Sequence, residues 1–179
     1  KQKVLGNSKT VLLKKVFLNL FKKGKSYMIV KANVLTKDGK RGTEWFLVRF
    51  DHTPVKEVTK RHRRTGLCSI FYLTDDDYAG GENFASRICG EKNKYFVTDA
   101  KVVCSEQDNY VKAYARNVTM KKAIQQIMTM QSNGELSWDF TFDNETFKSF
   151  ITTLNTQHPH GNAAAIKLLQ NSSYRHNKK

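Results

Sequence analysis

The sequence predicts an α+β fold built on a mainly antiparallel sheet. Three observations predict it: alternating, strand-like segments lie next to one another early in the chain; an Asp38-Gly39 turn joins two of them; and segments of helical period gather late. Residues 8–23 (SKTVLLKKVFLNLFKK) read as an N-terminal helix, with Ser8 as its cap, Gly24 as its stop, and Leu13, Val16, Phe17 and Leu20 on one face. A hairpin follows at 26–51. Met28, Val30, Ala32 and Val34 share one face of its first strand, Phe46, Val48 and Phe50 one face of its second, and Asp38-Gly39 supplies the positive φ of the turn.

After a polar connection at 52–66, LCSIFYL at 67–73 reads as a buried strand and TDDDYAGG at 74–81 as an acidic loop. Residues 82–90 fit one or two helical turns ending at Gly90. Further strands are expected near 94–104 (KYFVTDAKVVC) and 110–116 (YVKAYAR). A helix follows near 119–131, with Met120, Ala123, Ile124, Ile127 and Met128 on one side. The alternation of Leu136, Trp138, Phe140 and Phe142 predicts a half-buried strand at 136–142. Asp143 or Asn144 then caps a helix near 144–155, and a last helix is expected near 162–170 after the His158-Pro159-His160-Gly161 turn. Residues 1–170 read as one domain and 171–179 as a basic, flexible tail.

No apolar run approaches the ~18 residues that cross a bilayer, and the first residues do not resemble a secretory leader, so a cytoplasmic or nucleoid-associated protein is expected. Cys68, Cys89 and Cys104 are odd in number and form no CxxC pair, which argues against a disulfide framework and against a four-thiolate zinc site.

The charge is strongly one-sided. Residues 1–66 hold 18 Lys/Arg against 4 Asp/Glu, a net of +14; residues 67–150 hold 9 against 12, a net of −3; residues 151–179 hold 4 against none. Such a field suits a polyanion. The hairpin tip offers Lys37, Lys40 and Arg41, and the following connection offers Lys60, Arg61, Arg63 and Arg64, with arginines able to grip phosphates in bidentate fashion. Lys112, Lys121 and Lys122, in the near-neutral middle, are expected to contribute little. His52 and His62 read as solvent-exposed, and Tyr27, Trp45 and Tyr72 as core or half-core rings before base-stacking ones.

The expectation is therefore a non-enzymatic nucleic-acid-binding protein without a cofactor, DNA preferred over RNA, of the small, basic kind seen in viral or accessory regulators. One alternative is a Mg²⁺-dependent nuclease, in which Asp77 and Asp99 hold the metal and Lys101 assists the attacking water in a loose D…DxK pattern after Asp75-Asp76-Asp77. Another is an interaction module that binds an acidic protein surface. Phosphate-cradling and nucleophile-elbow motifs are absent from the sequence.

Overall fold

The structure is a computed structural model and describes residues 26–53, 63–74, 84–104 and 111–157. Five antiparallel strands form one sheet in the order β4-β3-β2-β1-β5. Strands β1 (Ser26–Thr36) and β2 (Arg41–His52) make the expected hairpin, with Met28 opposite Val48 and Leu35 opposite Arg41. The turn closes where Gly39, at φ 77°, donates its N–H to the Thr36 carbonyl at 2.9 Å. A type I turn closed by a left-handed glycine is a common three-residue hairpin loop. Gly42 serves a different need, since a Cβ there would come within 2.9 Å of the Thr36 methyl.

Strand β3 (Thr65–Leu73) pairs with β2, and β4 (Phe96–Val103) pairs with β3 through a register shift at Ile70/Phe71. Alternation gives the sheet two apolar faces. On the first, Met28, Val30, Phe46, Val48, Cys68, Ile70 and Ala100 meet helices α3 (Lys112–Ser132) and α4 (Asn144–Gln157), which bring Met120, Ile124, Ile127, Phe150 and Leu154. On the second, Tyr27, Ile29, Leu47, Phe71 and Leu73 are covered by α1 (Phe84–Gly90) and the single turn α2 (Lys92–Tyr95). With a helical layer on each side, both faces of the central strands are dry, which explains the nearly continuous hydrophobic run WFLVRF in β2. Among the described residues, no helix is long and apolar enough to cross a membrane.

Two elements differ from expectation. The segment 110–116 is not a strand: α3 begins at Lys112 and runs on without a break through the expected helix at 119–131. Val111, Ala113 and Ala115 imitate a two-residue alternation, but alanine is the best helix former, and Ala113 and Ala115 are buried within a face that continues to Thr119, Met120 and Ala123. The strand expected at 136–142 is reduced to β5, Phe140–Thr141. It pairs with Leu35 and Thr36 at the very end of β1, and beyond them the hairpin turn leaves no strand to pair with. The alternation still operates, because Phe140 and Phe142 are buried, Leu136 and Trp138 pack against the same core, and Ser137, Asp139 and Thr141 are exposed. The helices expected at 8–23 and 162–170, and the tail, lie outside the described residues.

Two polar devices hold the C-terminal part in place. Gln131, near the end of α3, donates to the Phe140 carbonyl at 2.9 Å and accepts from the Phe142 N–H at 2.8 Å. Asp143 caps α4, its Oδ1 accepting the N–H groups of Glu145 and Thr146, each at 3.1 Å. Partial burial works against its charge, but those Thr146 contacts and the Arg41 guanidinium at 2.6 Å hold its pKa below the usual carboxylate range.

This packing makes the adjacent residues Asp139 and Phe140 energetically unlike. Phe140→Ala is expected to lose about 3–5 kcal/mol as a large-to-small core change. Asp139→Ala, which removes an exposed pair with Lys37, is expected to lose under about 1 kcal/mol. Urea denaturation of the two variants checks the contrast, and equal losses would contradict the strand's facing.

Candidate nucleic-acid interface

The hairpin strands run the length of the sheet, and the described residues of the two basic clusters lie at its two ends. Lys37, Lys40 and Arg41 sit at the turn. Arg63 and Arg64 enter β3 beside the far end of β2, where Thr53 donates its N–H to the Thr65 carbonyl at 3.0 Å and Cys104 donates to the Arg64 carbonyl at 2.9 Å. Eleven residue steps of β2 separate Arg41 from His52, about 36 Å at strand rise. The tip and the Arg63-Arg64 segment therefore do not form one patch. Lys60 and Arg61 lie outside the described residues.

The tip's positive charges are also matched. Lys37 is 3.3 Å from Asp139, Lys40 is 3.0 Å from Asp38, and Arg41 is 2.6 Å from Asp143. Thr36 and Asp38 hydrogen-bond within the turn, and that contact with Lys40 holds the Asp38 carboxyl below its ordinary pKa. Three cations against three carboxylates leave the tip with little field at a distance.

Among the described residues, cations outnumber carboxylates at the opposite end. A cavity of about 550 Å³ opens around the ends of β1 and β2, between the last turn of α1 and the first turn of α3. Its lining includes the charged residues Arg49, Asp51, Lys112 and Arg116, together with His52. Arg49 occupies both oxygens of Asp51, with Nη2 to Oδ1 at 2.8 Å and Nε to Oδ2 at 2.7 Å. That fork cancels the carboxylate internally, and Lys112 and Arg116 stand one helical turn apart on the other wall. The first turn of α3 contains no acidic residue.

His52 senses this arrangement. It is half-buried rather than solvent-exposed as the sequence suggests, and its pKa falls to about 4. Burial is the largest cause; Arg116, Lys112 and Arg64 push the same way, and Asp51 opposes them. Lys112, expected to contribute little, thus belongs to the basic end. Tyr27 and Cys89 form the inner wall, and burial raises the pKa of both, with the Cys89 thiol partly relieved by Arg49. Tyr27 is core, while Trp45 and Tyr72 are half-buried, Trp45 beneath the Lys31 ammonium and Tyr72 bonded to Glu44 at 2.9 Å.

Asp99 and Lys101 are exposed on β4, opposite Ser69 and Leu67, and the buried Ala100 between them puts both on the sheet face away from α3. Asp77 lies outside the described residues, and among the described residues no group of three or more His, Cys, Asp and Glu stands ready to hold a metal ion. A larger hollow, about 730 Å³, lies along α3 near Thr98, and Lys121, Lys122 and Glu135 in its lining mix both signs of charge.

Sequence reasoning missed Arg49, His52, Lys112 and Arg116 as a group. The available signal was the i,i+4 spacing of Lys112 and Arg116, which brings side chains together on a helix and leaves them about 13 Å apart on a strand. No family model, curated protein or solved structure matches this chain. The functional reading rests on its own residues.

His52 makes stability depend on pH in a definite direction. An unfolded chain protonates this ring near pH 6.5, the folded protein only near 4, so stability is full above the upper value and falls as pH drops through that window. Allowing for the water that reaches the ring, the loss is on the order of 1 kcal/mol. Denaturation at about pH 7 and about pH 5 is expected to show it, and His52→Gln is expected to remove that part of the difference. An unchanged pH dependence in the variant would mean that the ring is not held neutral by its surroundings.

Proposed function

We propose that the protein binds nucleic acid, DNA before RNA, in a non-enzymatic regulatory or accessory role, with the far end of the sheet as its phosphate-binding surface. The observation that carries this reading is the placement of Lys112 and Arg116 beside His52 in the lining of one cavity, at the end of the sheet where Arg64 and the exposed Arg63 enter β3. Lys60 and Arg61 precede Arg63 in sequence, separated from it by His62. Phosphates along a strand need several donors on one surface, and arginine supplies paired donors where lysine supplies a point charge. The hairpin tip, its cations already matched by carboxylates, takes a minor share.

Salt dependence tests the reading, because each neutralised phosphate releases counterions. Changing Arg61, Arg63 and Arg64 together to Ala is expected to shrink the log–log salt slope by about 0.9 per lost contact on duplex DNA, or about 0.7 on single strands. The loss should be alike for unrelated sequences, since phosphate contacts position without specifying. Lys121, Lys122 and Lys148, all exposed, make a matched control that should matter far less. Equal losses in the two triple variants would remove the far end as the binding surface. Plasmid and RNA incubated with and without Mg²⁺ report cleavage directly, and cleavage lost in Asp99→Ala and Lys101→Ala would replace this reading with a metal-dependent nuclease. Retention on heparin without binding to any nucleic acid would point instead to an acidic protein partner.

A further inference from the structure

Strand β4 is the outer neighbour of β3, and among the described residues no strand pairs with its other side. Cys104 donates its N–H to the Arg64 carbonyl, and Thr53 donates to that of Thr65, so β3 turns its even-numbered backbone groups to β4 and its odd-numbered ones to β2. The register sets Gly66 opposite Val102 and Cys68 opposite Ala100. The even residues of β4 therefore bond to β3, and the N–H and C=O groups of Asp99, Lys101 and Val103 point to the outer edge. The register shift near Ile70 interrupts the ladder before Thr98, which leaves a regular stretch over 98–102, centred on Ala100. The same strand carries two large apolar side chains in contact with solvent, Phe96 at 38% exposed and Val103 at 51%.

We propose that β4 pairs edge to edge with β4 of a second copy of this chain, antiparallel, about a two-fold axis at Ala100. Charge selects this register from its neighbours. A ladder centred on Asp99 sets carboxylate against carboxylate, and one centred on Lys101 sets ammonium against ammonium. Centred on Ala100, Asp99 of each copy stands opposite Lys101 of the other, and these are residues whose backbone groups face the edge. Opposite charges directly across a ladder stabilise it, and like charges there destabilise it. A lysine on an edge strand ordinarily discourages pairing; in this register Asp99 of the second copy answers it. Thr98 falls opposite Val102, and Val103 comes beside the Phe96 end of the second copy. The axis stands perpendicular to the sheet, so α3, which packs over β3 and β4, meets α3 of the second copy on one side. The hollow of about 730 Å³ lies at that place, with Thr98 in its lining donating to Gln126 at 3.1 Å and Lys121, Lys122 and Glu135 offering both signs of charge to the facing helix. The contact is isologous and joins two five-stranded sheets into one. Because the strands run in opposite directions, the two Arg63-Arg64 ends come to lie at opposite ends of the joined sheet.

Sedimentation of the full chain, freed of nucleic acid, tests the pairing at about 0.15 M salt, where a Debye length of about 8 Å screens the net +15 of each copy. A monomer–dimer equilibrium is expected between about 1 µM and about 100 µM. Asp99→Lys and Lys101→Asp each set like charges opposite one another twice, and each is expected to weaken the dimer at least about tenfold. Mixing the two variants brings opposite charges together again and is expected to restore a dimer. Both positions are exposed, and circular dichroism establishes that each variant is folded. Should a reversal unfold the chain, Lys101→Gln removes both pairs without repulsion and is expected to weaken the dimer about threefold or more. A wild type that stays monomeric throughout overturns the proposal and leaves the edge to a strand of another protein. A dimer indifferent to these variants, or one weakened by both reversals with no recovery when the folded variants are mixed, overturns it too, since the contact then lies elsewhere.

Discussion

Phe46 lies on the central strand of the sheet, and the rings of Tyr72, Phe142, Phe150 and Trp138 close on it with centroids 5.3 to 5.9 Å away. Those rings come from β3, from the segment around β5 and from α4, so one side chain joins three parts of the chain that are distant in sequence. The contacts with Phe142 at 87° and with Phe140 at 79° are edge-on, the arrangement that sets a ring's positive rim against another's negative face. Without this cluster α4 would keep Leu154, Phe147 and Ile151 against the core and two hydrogen bonds to β1, from Asn33 N–H to Ser149 and from Gln157 to the Ile29 carbonyl. The sheet end that carries the cavity depends on it in turn, because α3 is tied to the β5 segment by Gln131, and α3 delivers Lys112 and Arg116 from its other end.

The long helix explains how a protein with one neutral and one basic end arises from a sequence whose charge is concentrated in its first third. Acidic residues of the later segments, Asp139 and Asp143, return to the hairpin turn and cancel its cations. Basic residues of the same later segments, Lys112 and Arg116, go to the opposite end and add to the arginines already there. Folding thus sharpens the asymmetry along the sheet. Over a Debye length of about 8 Å, matched pairs at one end are invisible to a polyanion at the other.

The hairpin was legible in the sequence because a two-residue hydrophobic period and an Asp-Gly turn are local signals, and both faces of β1 and β2 follow that period. Helix α4 was legible for the same reason, its cap and its apolar stripe lying within a few residues of each other. The start of α3 was not, since alanines at 113 and 115 fit either period and only the tertiary contacts of the later turns decide between them. That ambiguity concealed the cavity as well, because the proximity of Lys112 and Arg116 exists in a helix and not in a strand. The neutral tip was out of reach for a further reason: the partners of Lys37 and Arg41 stand about a hundred residues away, and no local pattern specifies which carboxylate returns to which cation.

That separation sets the order in which the molecule assembles. The turn at Gly39 closes a loop of three residues, whereas Thr141 must find Leu35 across 106 residues. Closure entropy rises with loop length, and non-local pairings are rewarded only after that entropy is lost. Strand β5 therefore joins a hairpin that already exists, and Asp139 and Asp143 arrive with it. Until then the turn displays two unmatched cations, Lys37 and Arg41, while Lys40 already has Asp38 beside it.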